Sequence, residues 1–374
     1  MITPQDIVHF ARNKKPAVLR YRSKISKKDL KSFEPFKKHE IFALLFLTIE
    51  KPAELCGFLK THISKLESIF NNPSYRHYTI EKKRGGTRDI YAPSPELKTI
   101  QKQLNYFLQA YYLWIKPEVV HGFVINPGYL LKNCNIVANA MMHTRKKYVL
   151  NIDLQDFFPG ISAWQVKETF MSQNFMFNEQ IATALTLLTT YQGCLPTGAP
   201  SSPAISNFVC YQLDHDLIEL CRTKSIAYSR YADDLTFSSD KLIASDAILD
   251  IILLIKKNNF RINEKKLRLR SSNSRQTVTG ITVNEKVNVN RRLLKKIRAM
   301  LHDLDTNGLD VATKKHYRIK GEAGIELKKT FLRRLRGYIN FVGQVRGIKD
   351  SLYLRLITKF YTLHANLNKI AVGN

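Results

Sequence analysis

Apolar residues change their period along the chain, and the changes divide it. Through residues 1 to about 70 they recur at helical spacing, as in EIFALLFLTIEKPAELCGFLKTHISKLESIF, and RYRSKISKKDLKSF adds a run of Lys and Arg. This stretch reads as a basic helical extension, either packed on the surface or touching nucleic acid. From Tyr75 the period falls to two. Tyr78 and Ile80 alternate, a basic Gly-Gly turn follows, and Ile90 precedes Pro93, which predicts a hairpin. Helix resumes in PELKTIQKQLNYFLQAYYLWI, with Leu97, Ile100, Gln101, Leu104 and Leu108 near one face. KKYVLNIDLQDFFPGI then reads as a strand, Leu150, Ile152 and Leu154 pointing one way and Asn151 and Asp153 the other.

SAWQVKETFMSQ and NEQIATALTLLTTYQ are helical, and the Pro and Gly of GCLPTGAPSSPAISN enforce a loop before a helix that starts near Ser202. A second hairpin follows, with Ile226 and Tyr228 before the turn and Leu235 and Phe237 after it. From Asn284 the pattern is helical again. NRRLLKKIRAMLHDLD gathers Leu293, Leu294, Ile297, Met300, Leu301 and Leu304 on one stripe, with Arg291, Arg292, Lys295, Lys296 and Arg298 largely off it. Strands and helices mixed in this way predict an α+β fold without internal repeats.

With 374 residues the chain can bury a core and hold more than one subdomain. Its 59 Lys and Arg against 31 Asp and Glu give a formal charge of +28, which points to a polyanionic partner, nucleic acid first. The most apolar window, Ile41 to Ile49, is too short to span a bilayer, and the N-terminus lacks the apolar centre of a signal peptide, so a cytoplasmic protein without a membrane partner is expected. Cys56, Cys134, Cys194, Cys210 and Cys221 form no CxxC pair, which argues for free thiols and against a zinc site or disulfides.

Charge sits where a turn tolerates it least. In RYADDLTFS, Asp233 and Asp234 are adjacent at the tip of the second hairpin, and Asp153 stands on the polar face of an earlier strand. Were the two strands neighbours, three carboxylates would converge. Such hard oxygen donors suit Mg²⁺, and two ions about 4 Å apart can clamp both oxygens of an in-line phosphoryl displacement. A solvated Asp-Asp turn that caps its own backbone is the plain alternative.

RYADDLTFS, LNIDLQDFFPGI and LPTGAPSSPAISN, in register over about Tyr75 to Val345, resemble the palm of a reverse transcriptase. The resemblance implies a right-hand polymerase: residues 1–70 as the basic extension, 71–285 as fingers and palm with an antiparallel sheet, and 286–374 as a helical, RNA-binding thumb. It makes Asp153, Asp233 and Asp234 the catalytic, metal-binding triad for two Mg²⁺ ions. It assigns nucleotide contacts to Asp156, Phe157 and Phe158, to Thr197 and Gly198, and to Arg88 and Lys83 of the fingers hairpin. Phe158, five residues after Asp153, takes the place of a steric gate against the 2′-hydroxyl, although Phe157 and Phe158 could both be core aromatics. Thr197 departs from the family pattern, which has Gln there. Its shorter side chain alters the contact with the nucleotide, and so affinity and fidelity.

Two shorter elements narrow the resemblance. NAMMH, Asn139 to His143, is similar to the NAxxH element of retron reverse transcriptases, and Val278, Thr279 and Gly280 match their VTG element. The resemblance implies that these residues, with Arg291, Arg292, Lys295 and Lys296 of the thumb, bind a cognate structured noncoding RNA. A structural histidine and a strand entering a turn are the alternatives. Retron enzymes copy that RNA from deoxynucleotides into branched, RNA-linked single-stranded DNA (msDNA), primed from an RNA 2′-hydroxyl, and act in anti-phage defence with a separately encoded effector protein. Two rivals stay open: an untemplated or protein-primed phage-defence DNA polymerase on the same palm, and a non-catalytic RNA-binding scaffold.

Overall fold

A computed structural model of the chain describes residues 3–13, 37–82, 85–125 and 134–372. Their helices and sheets make the fold α+β, and the chain divides into two compact units. Among the described residues no helix is long and apolar enough to cross a membrane.

The first unit comprises Met1–Asn135, Leu150–Phe237 and Ile243–Arg268. It opens with α1 (Pro4–Asn13), α2 (Lys38–Phe46), α3 (Pro52–Leu59) and α4 (Ile63–Asn71). The stretch expected to be an extension is part of the core from Ile41 onward. Leu44, Leu45 and Phe46 of α2 and Leu47 just after it are buried, because this run is apolar on every side and has none it can give to water. Phe46 stacks on Phe107 of α5 (Pro95–Ile115), with ring centroids 5.4 Å apart, and meets Phe177 edge-on at 5.5 Å. Burying one such ring contributes about 1.5–3 kcal/mol. The basic run RYRSKISKKDLKSF, for which nucleic-acid contact was an option, lies outside the described residues.

Strands β1 (Tyr75–Glu81) and β2 (Thr87–Pro93) pair antiparallel, Ile80 opposite Arg88, in the hairpin that the alternation predicts. Next come β3 (Tyr148–Asp153), the helices α7 (Ala163–Met171), α8 (Glu179–Thr189), α9 (Ser202–Val209) and α10 (Tyr211–Thr223), then β4 (Ala227–Tyr231), β5 (Asp234–Ser239) and α11 (Ser245–Lys257), with the short α6 (Ile136–Met141) ahead of β3. With β6 (Arg268–Ser271) the strands form a sheet of order β4-β5-β3-β6. The order matters because β3 and β5 are neighbours.

The second unit takes Ile136–Val149, Ser238–Leu242 and Leu269–Asn374, so it begins well before the boundary expected near 286 and draws in two earlier pieces of chain. The reason is packing. Val278 and Ile281 of the two-residue strands β7 (Thr277–Val278) and β8 (Ile281–Thr282) share one core with Ala140, Val149, Ile297 of α12 (Arg291–Tyr317) and Phe331 of α13 (Ile325–Arg346). Leu356 and Phe360 of α14 (Ser351–Val372) close it. The stripe read from the sequence is the buried one: Ile297, Met300, Leu301 and Leu304 are inside, and Arg291, Arg292, Lys295, Lys296 and Arg298 are exposed.

Candidate active site

The hairpin β4–β5 is anchored from behind by an ion pair that is wholly removed from water. Arg230 and Asp214 are both at zero exposure, with Nε donating to Oδ1 at 2.8 Å and Nη2 to Oδ2 at 2.6 Å. Arg230 Nη1 also donates to Asn207 Oδ1 at 3.0 Å and to the Ala232 carbonyl at 3.3 Å, and the Tyr228 hydroxyl donates to Asp214. Burial opposes the guanidinium charge, but the Asp214 carboxylate outweighs it, so the Arg230 pKa is raised. An ion pair so enclosed stands only if its lone pairs and protons are satisfied, and here the donors are spent on the turn itself. Ala232 turns the chain with a left-handed φ of 59°.

A second strut is the segment around Gly122. Arg230 donates from its backbone to Val119 and accepts from His121, both at 3.0 Å. A Cβ on Gly122 would stand 2.2 Å from the Ala232 nitrogen, so only glycine fits. Asn207 Nδ2 donates to the Gly122 carbonyl at 3.0 Å, tying helix α9 to the same loop.

These supports present the acids. Leu154 donates to the Asp233 carbonyl at 2.9 Å, so the end of β3 lies beside the turn, and Asp153 reaches the charges of both neighbours. The Asp233 pKa is raised, by burial first and then by Asp153, with Lys266 and Arg88 opposing. Asp234 is pushed up to about 7 by burial, by Asp233 and by Asp153, with Lys266 opposing. Asp153 itself is spanned by Lys266, whose Nζ donates to both carboxylate oxygens at 2.9 and 2.8 Å.

Among the described residues no three His, Cys, Asp or Glu side chains are gathered closely enough to hold a metal ion as they stand. Their chemistry nonetheless suits one. Burial first, and then the neighbouring carboxylates, lift the two pKas, and a divalent cation offsets both the lost hydration and the repulsion.

Around the acids the structure sorts the expected nucleotide residues. Phe157 is buried and faces Phe260, whereas Phe158 is half-buried and stacks on Phe123 at 5.7 Å, so the first is the core aromatic and the second the one left for a ligand. Asp156 is exposed, with φ 46° and a carbonyl that accepts from Gly160 at 2.6 Å. The Thr197 carbonyl accepts from the Tyr91 amide at 2.7 Å, which docks its loop on β2. Gly198, at φ 121°, leaves no room for a side chain, since a Cβ would meet Ile90 at 2.9 Å. Arg88 is exposed and its charge acts on Asp233. Lys83 lies outside the described residues.

The expected RNA-binding residues belong to the second unit, and there the picture changes. Asn139, His143 and Val278 have zero exposure, and His143 Nδ1 shares a hydrogen bond with the Ser238 hydroxyl at 2.7 Å. Enclosed side chains cannot touch RNA, so direct contact through these three is corrected to a role inside the unit. Thr279 and Gly280 form the β7–β8 turn with φ of 46° and 85°, the left-handed pair that a two-residue hairpin requires. Helix α6, which carries Asn139, packs on that hairpin, and the Thr279 hydroxyl donates to the Ile136 carbonyl at 3.3 Å. Two elements far apart in sequence are one structural piece. Arg291, Arg292, Lys295 and Lys296 are exposed, with Lys296 lying 5.0 Å above the Tyr338 ring.

Sequence reasoning missed Asp214, Asn207, Gly122, Phe123 and Lys266. One signal was present for Asp214: it shares a helix face with the buried Leu217 and Cys221, where a lone acid needs a partner. Lys266 had no such mark, being one of many lysines. The five cysteines are free, with Cys56, Cys210 and Cys221 buried.

An acid at a strand end beside a two-acid turn, faced by the arginine of a separate hairpin, defines a polymerase palm in the making. Comparison with known proteins agrees with that geometry. The profile of the reverse transcriptase (RNA-dependent DNA polymerase) family matches residues 80–319. The retron Ec86 reverse transcriptase of Escherichia coli is 34% identical over 236 residues, covering 62% of this chain and 70% of that one. The retron Mx65 enzyme of Myxococcus xanthus is 32% identical over 249 residues, 61% and 56% of the two chains, and its Mx162 enzyme 29% identical over 329 residues, 76% and 60%. Against the two Myxococcus proteins the match therefore spans less than two thirds of their length. Among solved structures, telomerase from Candida albicans aligns at a TM-score of 0.44 and 10% identity over 79% of this chain and 64% of that one, too remote to carry weight. The chain belongs to the reverse transcriptases, and within them to the retron type.

Proposed function

We propose that the chain copies a cognate structured noncoding RNA into branched, RNA-linked single-stranded DNA, starting from an RNA 2′-hydroxyl and drawing on deoxynucleoside triphosphates. Asp153, Asp233 and Asp234 would hold two Mg²⁺ ions, whose charge, when bound, supports the nucleophilic hydroxyl and the departing pyrophosphate. What carries the reading is the acid pair at the β4–β5 turn: Asp233 and Asp234 are both shifted upward in a setting that holds them beside Asp153.

The chain's own residues supply position and selection. The Arg230–Asp214 pair and Gly122 fix the turn that carries Asp233 and Asp234, so these two carboxylates are held in place before substrate arrives. Arg88 brings a planar guanidinium suited to triphosphate oxygens, and Lys83 adds a second charge from the same hairpin. The Phe158 ring, braced by Phe123, stands against the sugar and excludes a 2′-hydroxyl. Asp156, Phe157, Thr197 and Gly198 shape the walls of that nucleotide site.

In the second unit Arg291, Arg292, Lys295 and Lys296 offer phosphate contacts, strong at low salt and blind to sequence. Asn139, His143, Val278, Thr279 and Gly280 act there by holding the α6 and β7–β8 piece in shape for the RNA. The product and enzyme serve anti-phage defence together with a separately encoded effector protein, in the cytoplasm.

Co-expression with the adjoining noncoding DNA tests the proposal. RNase and debranching treatment of extracted nucleic acid should reveal a small branched RNA–DNA that the Asp233→Asn variant lacks. DNA made by the purified chain without any cognate RNA would instead favour the untemplated polymerase. In the same assay Phe158→Ala should admit ribonucleotides at least about tenfold more readily. Unchanged sugar selectivity would place the gate elsewhere.

A further inference from the structure

A cavity of about 370 Å³ in the first unit lies against the residues that flank the acidic hairpin, and the nucleotide site just described does not use it. Its walls come from Asn105 and Gln109 of α5, His121 and Phe123 of the loop that braces the turn, Pro200 at the approach to α9, and Tyr231, two residues before Asp233. None of its lining side chains is charged at neutral pH, since burial, followed by Lys116, brings the His121 pKa down to about 4. A phosphate has no counter-charge there. A flat, neutral ring does have faces to meet, in Phe123, Tyr231 and the proline.

The polar groups narrow the ligand. Gln109 is already committed, Nε2 donating to the Phe123 carbonyl at 2.9 Å and Oε1 accepting from the Ile125 amide at 3.1 Å, so it builds the wall. Asn105 Oδ1 is enclosed and accepts no hydrogen bond from the protein. An enclosed acceptor left unmatched is costly, and a ligand N–H would satisfy it. A neutral aromatic body with N–H groups on its edge is the description of a nucleobase, and a chain of charge +28 brings polynucleotide to this surface.

We propose that this cavity receives an unpaired nucleobase of the bound strand, its ring against Phe123, Tyr231 and Pro200 and an N–H donated to Asn105 Oδ1. The inference rests on the reading that the chain handles nucleic acid, and it adds a base-holding subsite next to the catalytic turn. A strand pinned by one extruded base is fixed in register relative to Asp233, which phosphate contacts alone do not achieve.

Photo-crosslinking of the full chain tests it. A short unstructured oligoribonucleotide carrying a single 6-thioguanosine is bound, irradiated, and its cross-links mapped by peptide mass spectrometry. Cross-links are expected on the segments of Phe123 and Tyr231 or on Cys134 at the cavity wall. They should fall about tenfold in Asn105→Leu and persist in Asn105→Asp, which keeps the acceptor. Val124→Trp, which fills the cavity from another wall, should abolish them and serves should Asn105→Leu not fold. Cross-links confined to the basic helices or the β1–β2 hairpin overturn the proposal, as do cavity cross-links that Val124→Trp leaves unchanged. Because the readout is binding, it stands apart from synthesis. If Asp233→Asn kept full polymerase activity, the function above would fail while this subsite could still be found.

Discussion

Arg230 with Asp214, behind the acidic turn, and Lys266 with Asp153, at the end of β3, are ion pairs of similar length in the same unit. The first is closed to water on every side, at zero exposure for both partners. In the second, 52% of the lysine side chain and 14% of the aspartate's are exposed. Burial assigns them opposite work. A desolvated pair cannot exchange partners without leaving a bare charge in a low dielectric, so Arg230 and Asp214 are scaffold. A pair at the surface is held weakly, so the Asp153 carboxylate can give up its ammonium to another cation. The polymerase palm thus keeps its rigid charges inside and its exchangeable ones outside.

Breaking the outer set at its centre should have the largest effect. Asp233→Asn is expected to lower templated DNA synthesis by at least about a hundredfold, as removal of a group that stabilises developing charge does, while leaving RNA affinity in a filter-binding assay unchanged. Turnover near that of the native chain would remove Asp233 from the catalytic set.

Breaking the inner pair should appear first as instability. Asp214→Asn strands the Arg230 guanidinium and should cost about 3–5 kcal/mol by urea unfolding, with activity lost in parallel because the turn loses its anchor. A destabilisation below about 1 kcal/mol would mean that the pair is not enclosed in solution.

The raised acids predict a pH dependence with a definite sign. Asp234 binds its proton more tightly folded, with its pKa about 7, than unfolded, near its ordinary 3.8. Metal-free stability should therefore decline as pH rises through that interval and level off above it. On the proposed function the ionised carboxylates bind Mg²⁺, so the ion should raise the melting temperature more at pH 8 than at pH 5. Equal shifts at both would show that the acids do not share the metal.

The smallest effect is expected at the outer lysine. Lys266→Met should change unfolding stability by less than about 1 kcal/mol. It should still move the acid limb of the pH–rate profile to higher pH, because Lys266 favours the ionised forms of Asp233 and Asp234. An unmoved limb would uncouple the lysine from the acids.

Periodicity and turn chemistry, which act over a few residues, were enough to place the two hairpins, the helix beginning at Ser202 and the buried stripe of α12. Adjacent carboxylates at a tight turn were legible for the same reason, but it was the resemblance of the surrounding motifs that joined them to Asp153. What faces what across long loops was not legible. Nothing near Asp214 in the chain announces Arg230, and a glycine beside a histidine does not reveal that Ala232 will come within 2.2 Å of where its Cβ would be. The basic composition announced a polyanionic partner but left the singling out of Lys266 to the fold.

The sequence by itself determined the hairpin turn with its adjacent acids and the basic helix faces, because these follow from local pattern and residue type, and its motifs carried the resemblance that implies the class. Tertiary structure alone decided that Phe157 is core and Phe158 stands beside the site, and that His143 and Val278 are enclosed. It also decided that residues 136–141 and 277–282 make one piece and that one ion pair is scaffold while its near twin is exchangeable. Burial is the common reason. It depends on all the chain that comes to lie around a residue, and no window of sequence contains that.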